Sequence, residues 1–345
     1  MKYTTLPNTD IKISRICLGT MTWGQQNNRA EGHQQMSYAL DQGVNFFDTA
    51  ELYSIPPRQE TYGLTETIIG SWFKKTGNRD KVVLASKIAG PAPFTKHIRT
   101  TGFDRNSIFE ALEGSLKRLG TDYLDLYQLH WPERKTNFFG KRGYQYDPND
   151  QWQDNIHQVL DTLKEMIDSG KVLHVGLSNE TPWGTMQFLR LSQQQDLPRM
   201  ITIQNPYSLL NRLFEVGLAE ISMRENIKLL AYSPLGFGTL TGKFLNGQMP
   251  ANSRIALFPT YRRYLNDNAM SATAKYAALA DEFGVSFTQM SLSFVSGRPF
   301  VASTIIGATS MKQLQENISS IDLELDPELI RKLEIIHEQI PNPSP

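Results

Sequence analysis

The chain contains 345 residues, of which 40% are hydrophobic, so it can bury the core of one large α/β domain or of two small ones. Its 35 lysines and arginines equal its 35 aspartates and glutamates and form no long basic run, which argues against nucleic-acid binding and favours a small neutral or modestly charged ligand. The single cysteine, Cys17, excludes an internal disulfide framework and a cysteine-rich metal site.

Short apolar runs alternate with helical patterns along the chain, which indicates βα units around a parallel sheet. Before the first unit, residues 3–14 alternate around the turn-rich sequence PNTD and predict a hairpin at the bottom of a barrel. The predicted strands comprise residues 16–20, 44–49, 81–87, 123–130, 171–178, 200–205, 227–233 and 301–306. The predicted helices comprise residues 31–42, 64–76, 104–119, 153–169, 182–194, 214–225, 286–297 and 310–320, with extra helices at 268–283 and 326–340.

Eight βα repeats in a chain of this length favour an α/β fold of the (β/α)8 TIM barrel type, with an N-terminal hairpin and extra helices in long loops at the carboxyl-terminal face. No linker rich in Pro, Gly or Ser divides the chain, so we expect a single domain over residues 1–345 that ends in a loose tail, 341–345. The start lacks an apolar signal segment, and no apolar stretch approaches the length of a membrane span. We therefore expect a cytoplasmic protein without a membrane partner.

Three segments that follow predicted strands are too long to be simple connectors, namely 53–63, 131–152 and 234–267. Long loops at the carboxyl ends of the strands are where a barrel builds its pocket. Segment 131–152 carries six aromatic residues, Trp131, Phe138, Phe139, Tyr144, Tyr146 and Trp152. Because their exposure to water would be costly, a lid or pocket wall is favoured over a surface insertion.

Four side chains suited to proton transfer fall near the ends of consecutive predicted strands. Asp48, Lys87 and His130 lie at the ends of the second, third and fourth strands, and Tyr53 lies in the loop after the second. Each alone has a structural explanation, as a turn or cap residue, a surface-reaching lysine or a buried histidine. Because the carboxyl ends of barrel strands share one face, we expect the four to form one site, called the tetrad below.

The tetrad has the groups needed to transfer a proton to a carbonyl oxygen. A nearby cation favours a phenolate, so Lys87 is expected to lower the pKa of Tyr53. Tyr53 would then act as the general acid in reduction and, as phenolate, as the base in oxidation. Asp48 would pair with Lys87, while His130 would orient the substrate oxygen by a hydrogen bond. None of the four is a reductant, so the hydride must come from a cofactor.

The common nucleotide-binding motifs are missing from the sequence. The nearest match to the Rossmann fingerprint, GFGTLTG from Gly236, has the wrong spacing, and it fails as a Walker loop because Phe244 follows Lys243. The sequence GLSN at 176–179 is not a nucleophile elbow, since Glu180 replaces the second glycine. The six histidines show no paired ligand spacing, so we predict no metal.

A series of motifs over essentially the whole chain resembles the aldo-keto reductases, in the branch that holds bacterial Tas-type proteins and β subunits of voltage-gated potassium channels. The series is CLGTMTWG, DTAELY, LASK, LYQLHWP, GLSN, QNPYSLLNR, YSPLGFGTLTGKF and GATSMKQLQEN. The resemblance implies a (β/α)8 barrel that binds NADP(H) without a Rossmann fold. It also implies reduction of an aldehyde or ketone to an alcohol, with the tetrad in the roles given above.

The resemblance further implies a set of cofactor contacts. The positions matched to the nicotinamide end are Ser178, Asn179 and Gln204 for the carboxamide, Tyr232 for ring stacking, and Gly19, Thr20 and Met21. The positions matched to the pyrophosphate are Ser233, Leu235 and Lys243, with Arg254 as a second cation. The positions matched to the adenosine end are Gly307, Thr309, Gln313, Glu316 and Asn317, which without the resemblance would read as an ordinary helix start.

The chain departs from the family pattern in two places. Many members hold the 2′-phosphate of NADP with a lysine and an arginine, where this chain has Gly307 and Gln313, although Lys312 lies beside the second position. The preference for NADP over NAD is therefore less firmly implied than the nicotinamide cofactor itself. The glycine usual after the tyrosine is Ser54, and the inserted IPPRQ that follows is expected to reshape a pocket wall.

The sequence leaves the substrate and two alternative functions open. Trp23 and Trp131 are expected to line the substrate pocket, which favours a small carbonyl compound with apolar or planar parts. The basic residues Arg134, Lys135, Lys141 and Arg142 would favour an acidic substrate or merely solvate their loop. The alternatives are a nicotinamide-nucleotide sensor with little turnover and a lyase that uses Lys87 as a Schiff base. The oligomeric state is open, a homo-oligomer included.

Overall fold

The computed structural model describes residues 1–344, in which eight parallel strands close into a barrel behind an antiparallel hairpin. The hairpin strands are β1 (Tyr3–Thr5) and β2 (Lys12–Ser14). The barrel strands are β3 (Ile16–Gly19), β4 (Phe46–Asp48), β5 (Val83–Ile88), β6 (Leu124–Leu129), β7 (Val172–Ser178), β8 (Met200–Pro206), β9 (Lys228–Tyr232) and β10 (Val301–Ile306). Each barrel strand pairs with the next along the chain, and β10 closes the ring on β3. The predicted (β/α)8 architecture is confirmed.

The helices lie between the barrel strands and in the long loops. They are α1 (Arg29–Asp41), α2 (Leu64–Thr76), α3 (Arg105–Leu119), α4 (Ile156–Asp168), α5 (Pro182–Gln195), α6 (Leu218–Arg224), α7 (Arg254–Leu257), α8 (Asp267–Glu282), α9 (Phe287–Ser296), α10 (Met311–Ser319) and α11 (Pro327–Gln339). Within residues 1–344, none of these helices combines the length and apolar character that a membrane crossing requires.

Side-chain caps fix where several of these helices begin. Asn28 and Glu31 form a reciprocal capping box at the start of α1, and Asp104 caps α3 by accepting from the backbone of Ser107. The helix expected at 214–225 is shorter than predicted, because Gly217 has non-helical angles (φ −152°, ψ −39°) and separates a 3-10 turn from α6. The short helix α7 within segment 234–267 was not predicted.

The hairpin closes the amino-terminal end of the barrel. Leu6 and Ile13, both buried, pack against residues near the beginnings of the barrel strands, including Cys17, Phe46 and Leu230. The main apolar core lies outside, between the strands and the surrounding helices. The amino-terminal end of the barrel is therefore closed by apolar contacts, which leaves the carboxyl-terminal end for polar side chains and ligands.

Asn342 and Ser344 are bound to the barrel rather than loose, which corrects the expectation of a loose tail for the described part of 341–345. The Asn342 side chain accepts from the backbone N–H of Arg212 at 2.7 Å, and Ser344 is buried and donates to the carbonyl of Arg263 at 2.8 Å. Their polar side chains find backbone partners that the sequence did not reveal. Pro345 lies outside the described residues.

Candidate active site

The structure brings the four tetrad residues together at the carboxyl-terminal end of the barrel. Asp48 ends β4, Lys87 is the next-to-last residue of β5, His130 follows β6, and Tyr53 lies in the loop after β4. Lys87 Nζ donates to Asp48 Oδ2 at 2.6 Å and to the Thr49 carbonyl at 2.8 Å. Lys87 Nζ also lies 5.0 Å from the centre of the Tyr53 ring. A buried ammonium thus connects a carboxylate to a phenol.

Burial and charge act in opposite directions on the two protonatable groups at the centre of the tetrad. Burial raises the pKa of Tyr53 above its ordinary value, and the Lys87 charge, which acts to lower it, does not offset this. The expectation of a lowered Tyr53 pKa is therefore wrong for the site without a ligand. Burial alone would lower the pKa of Lys87, but the charges of Asp48 and Tyr53 together raise it.

The surroundings of His130 favour the neutral form of its imidazole. Burial, reinforced by the Lys87 charge, holds the pKa of His130 well below its ordinary value. The imidazole and the Tyr53 ring meet edge to face, with 5.8 Å between ring centres. Its Nδ1 atom is buried without a hydrogen-bond partner among residues 1–344. A proton on Nε2 avoids leaving a buried N–H unpaired, because the neutral ring carries only one proton.

The second carboxylate oxygen of Asp48 is bound by two glutamine side chains. Gln204 Nε2 donates to Asp48 Oδ1 at 2.8 Å, and Gln128 Nε2 donates to the same oxygen at 3.2 Å. Gln204 is one of the cofactor positions that the resemblance implies, whereas Gln128 is not predicted from the sequence. The only signal for Gln128 was a polar residue inside the apolar run of β6.

A cavity of about 1150 Å³ opens above the tetrad and is bounded by Asp48, Tyr53 and His130. Lys87 is fully buried and does not line the cavity, so it can act only through its neighbours. Segments 53–63, 131–152 and 234–267 all contribute to the walls, through residues such as Pro56, Phe139 and Phe237. Among the predicted cofactor positions, the cavity is lined by Gly19, Thr20, Met21, Asn179, Gln204, Tyr232, Ser233, Leu235, Lys243, Arg254, Gly307, Thr309, Gln313, Glu316 and Asn317.

Ser178 is the predicted cofactor position that does not line the cavity. Its hydroxyl donates to the Gln204 carbonyl at 2.9 Å and accepts from Asn179 Nδ2 at 3.1 Å. Asn179 Nδ2 also donates to the His130 carbonyl at 2.9 Å, and Asn179 Oδ1 accepts from the Tyr232 hydroxyl at 2.6 Å. Asn179 therefore connects His130 to Tyr232, and the Ser178 hydroxyl helps to hold the Asn179 side chain in place.

Three cations line one wall of the cavity without a carboxylate partner within residues 1–344, namely Lys243, Arg254 and Arg263. Arg254 and Arg263 lie on the Phe237 ring, with guanidinium carbons 5.1 and 4.9 Å from its centre. Burial, followed by the Arg254 charge, lowers the pKa of Lys243. Uncompensated buried cations are costly, so this wall is suited to an anionic group. Arg263 is not predicted from the sequence, because its position depends on how segment 234–267 folds back.

At the start of α10 the cavity is lined by neutral polar groups and one carboxylate. Gln313 Oε1 accepts from the backbone N–H of Thr309 at 2.9 Å, and Asn317 Nδ2 donates to the Gly307 carbonyl at 3.1 Å. The Glu316 carboxylate accepts from Ser286 at 2.7 Å. Lys312 is exposed and is not among the residues that line the cavity. Among residues 305–317, no lysine or arginine lines the cavity.

The two predicted pocket tryptophans do not line the cavity. Trp23 is buried under α1, where its Nε1 donates to Gln35 at 2.9 Å, because the turn at 20–27 directs it away from the barrel mouth. Trp131 is also buried and supports the wall from behind, with its ring 5.5 Å from Phe94 and 5.4 Å from Phe139. Phe94 and Phe139 line the cavity in its place.

The basic residues of segment 131–152 are bound elsewhere or point away from the cavity. Arg134 pairs with Glu180, Lys135 Nζ lies 2.6 Å from Asp147, and Arg142 donates to the Asn342 carbonyl at 2.8 Å. Lys141 lies near the Phe138 ring, and none of the four lines the cavity. The walls next to Tyr53 are instead apolar and aromatic, formed by Leu52, Ile55, Pro56, Phe94 and Phe139.

Comparisons with known proteins give a consistent assignment. A model of the Aldo/keto reductase family matches residues 15–338. The chain is 50% identical to "Protein tas" of Escherichia coli (strain K12) over 352 residues, which cover 100% of both chains. It is 33% identical to the "Uncharacterized oxidoreductase YrpG" of Bacillus subtilis (strain 168), covering 96% of this chain and 95% of that one. It is 30% identical to a "Probable voltage-gated potassium channel subunit beta" of Arabidopsis thaliana, covering 99% and 98%.

Proposed function

The chain belongs to the aldo/keto reductase family of oxidoreductases, and from that premise we propose that it is an NADP(H)-dependent enzyme that reduces an aldehyde or ketone to an alcohol. The observation that carries the proposal is the position of Lys87 Nζ, 2.6 Å from Asp48 Oδ2 and 5.0 Å from the Tyr53 ring centre, directly below the cavity. A buried carboxylate, ammonium and phenol in contact form a proton-transfer unit.

Tyr53 is the general acid in this proposal. Its raised pKa keeps the phenol protonated at neutral pH, so that it can donate to the oxygen of a carbonyl substrate. The Lys87 ammonium stabilises the phenolate that remains after the proton has been transferred. Asp48 offsets the charge of Lys87 and holds its Nζ in place.

His130 orients the substrate oxygen in this proposal. Its lowered pKa keeps the ring neutral, and a proton on Nε2 gives the cavity a hydrogen-bond donor. A neutral donor can bind the carbonyl oxygen without competing with Tyr53 as an acid. The edge-to-face contact of the two rings brings both groups to the same part of the cavity.

The residues along the cavity fit a nicotinamide dinucleotide, which supplies a hydride when bound. At about 1150 Å³, the cavity exceeds the usual range for a drug-sized ligand and has room for an extended dinucleotide beside a substrate. The three unpaired cations Lys243, Arg254 and Arg263 suit a pyrophosphate. Asn179 and Gln204 offer amide oxygens to a carboxamide, and Tyr232, held by Asn179, offers a ring for stacking.

The substrate proposed for this site is an uncharged carbonyl compound with apolar or planar parts. The walls next to Tyr53 consist of aliphatic, proline and aromatic side chains, including Ile55, Pro57, Phe94 and Phe139. The basic residues that would favour an acidic substrate are bound to other groups of the chain or lie outside the cavity. The lyase alternative is not supported, because Lys87 does not line the cavity and its raised pKa disfavours the free amine.

Binding of the reduced dinucleotides followed by a carbonyl panel tests the proposal. NADPH and NADH are titrated by fluorescence, and aromatic and aliphatic aldehydes and ketones are then added to the tighter complex. We expect binding and carbonyl-dependent oxidation of the nucleotide. Tight binding without turnover on any carbonyl would favour the nucleotide-sensor alternative, and absence of binding would refute the cofactor assignment.

A further inference from the structure

Gln128 is a fully buried side chain of β6 in contact with two residues of the proposed site. Its Nε2 donates to Asp48 Oδ1 at 3.2 Å, and its Oε1 accepts from Gln204 Nε2 at 3.2 Å. Gln204 Nε2 in turn donates to Asp48 Oδ1 at 2.8 Å. Gln128 does not line the cavity, so it touches neither the cofactor nor the substrate.

The hydrogen bonds account for both protons of the Gln204 amide nitrogen. A glutamine NH2 group has two donors, and here one goes to Asp48 Oδ1 and the other to Gln128 Oε1. The remaining polar atom of this amide is its carbonyl oxygen, and Gln204 lines the cavity. The oxygen and nitrogen of an amide have almost the same shape, so only its partners decide which of them faces a ligand.

The barrel accommodates a glutamine at position 128 through its neighbours on both sides. Gln128 is paired in register with Lys87 on β5 and with Gly176 on β7. A Cβ at position 176 would lie 3.4 Å from Gln128 Cγ and only 2.3 Å from Thr202 Oγ1. Gly176 thus leaves room for the side chains of Gln128 and Thr202. The buried Gln128 amide would be costly without its two partners, Asp48 and Gln204.

We propose that Gln128 is a positioning residue that fixes the orientation of the Gln204 amide, so that the site accepts a hydrogen bond from the carboxamide nitrogen of the cofactor. The inference rests on the proposed function. Because Asp48 and Gln128 bind Gln204 Nε2, the Gln204 carbonyl oxygen is the atom that faces the cavity. This oxygen accepts a hydrogen bond from a nicotinamide carboxamide and cannot do so from a group that lacks N–H donors. Gln128 also connects this selection to the tetrad, because it shares Asp48 with Gln204.

The test compares binding of NADP⁺ with binding of its 3-acetylpyridine analogue, in which a methyl ketone replaces the carboxamide. The variants are Gln128→Leu, which removes the acceptor for Gln204, and Gln128→Glu, which keeps an acceptor but places a second carboxyl group beside Asp48. Thr202→Val is the matched control, because its buried hydroxyl lies in the same layer of the barrel and has no partner within residues 1–344. Dissociation constants are measured by quenching of intrinsic fluorescence, and folding by circular dichroism.

We expect the wild type and Thr202→Val to bind NADP⁺ about 3- to 10-fold more tightly than the analogue, as expected for one hydrogen bond. In Gln128→Leu one Gln204 N–H stays bound to Asp48 Oδ1, but the other loses its acceptor and can turn toward the acetyl oxygen, so the ratio should fall toward one. Gln128→Glu should keep the affinity ratio. Because its new carboxyl group lies beside Asp48, its reduction rate should change with pH between about pH 7 and pH 9, where we expect the wild-type rate to be flat. If Gln128→Leu fails to fold, Gln128→Met repeats the comparison with an unbranched side chain.

Each contrary result has a distinct meaning. A Gln128→Leu ratio equal to that of the wild type would overturn the positioning role and leave the proposed reductase intact. If Thr202→Val lowered the ratio as much as Gln128→Leu, the positioning role would also be overturned, since the effect would then come from side-chain packing around Gln128. Equal wild-type affinities for the two nucleotides would also overturn the inference, whereas absence of wild-type binding to either would refute the proposed function together with it.

Discussion

At the scale of single residues, Asp48 and Lys87 form a buried ion pair at the centre of the site. The side chains are 3% and 0% exposed, and Lys87 Nζ lies 2.6 Å from Asp48 Oδ2. Two charges buried in this way offset each other, but either one alone has neither water nor a counter-charge. We therefore expect the pair to affect both the stability of the fold and the proposed catalysis, and substitutions can separate the two effects.

We expect Asp48→Asn and Lys87→Met to lower the free energy of unfolding by about 3–5 kcal/mol each, because each leaves a buried charge unpaired. The double variant should lose less than the sum of the two, since it removes both charges. All three should lose carbonyl reduction. Urea denaturation and a turnover assay measure the two quantities. Additive destabilisation in the double variant would contradict the proposed coupling.

The pH dependence of the reaction should follow the raised pKa of Tyr53. Burial raises this pKa above the ordinary tyrosine value of about 10, so the phenol stays protonated through the neutral range. We expect the rate of carbonyl reduction to be flat from about pH 7 to pH 9 and to fall only above about pH 10. Alcohol oxidation, which needs the phenolate, should rise with pH over the same range. A loss of reduction already at pH 8 would contradict the assignment of Tyr53 as the acid.

At the scale of elements, the start of α10 is where we expect the preference between the two proposed dinucleotides to be set. The side chain at position 313 is a glutamine whose oxygen is bound by the backbone of Thr309 and by its hydroxyl at 3.0 Å. Among residues 305–317, no lysine or arginine lines the cavity. A 2′-phosphate would therefore be bound here by neutral donors, which are weaker partners for an anion than a guanidinium.

We expect Gln313→Arg to raise the NADPH-to-NADH affinity ratio by about 10-fold or more, because it adds a charge-assisted hydrogen bond to the 2′-phosphate. Gln313→Met is the matched control, since it removes the amide and adds no charge, and its ratio should not rise above that of the wild type. Parallel fluorescence titrations of both nucleotides measure the ratios. An unchanged ratio in Gln313→Arg would show that the 2′-phosphate binds elsewhere.

Strands and helices could be predicted from the sequence where the pattern is local. The strand ends that carry Asp48, Lys87 and His130 were located because each apolar run stops at a polar residue. The error at 214–225 came from a backbone conformation at Gly217 that hydrophobic periodicity does not encode. The direction of Trp23 was also misjudged, because the turn at 20–27 and its packing under α1 are tertiary features.

At the scale of the whole molecule, the site is assembled from residues far apart in the chain. Gln204 reaches Asp48 across 156 positions, and Arg263 reaches the cavity only when segment 234–267 folds back on the barrel. The presence of a pocket at the barrel end could be predicted from the fold class. Its composition could be predicted only at motif positions, which is why Gln128 and Arg263 were found from the structure alone.

Stability should depend on pH through histidines that are neutral when folded. Burial lowers the pKa of His33, His130, His174 and His337, most strongly for His130. Below about pH 6.5 the unfolded chain binds protons that the folded chain does not, so this stability is present above that pH and is lost as pH falls.

We therefore expect the melting temperature to fall between pH 7 and pH 5, with His130 contributing up to about 1.4 kcal/mol per pH unit below 6.5. The decrease should be smaller in His130→Gln than in the wild type. Thermal unfolding at several pH values measures this. An identical pH response in His130→Gln and the wild type would exclude His130 as a contributor.

The most direct test of the proposed mechanism is the comparison of Tyr53→Phe with the wild type in two assays, NADPH binding by fluorescence and single-turnover reduction of the best aldehyde. Removing the hydroxyl should leave the dissociation constant within about 3-fold, because the ring and the cavity walls remain. It should lower the reduction rate by about 100- to 10,000-fold, the usual contribution of a general acid. An equal loss of binding and turnover, or a variant that still reduces the aldehyde at the wild-type rate, would contradict the role of Tyr53.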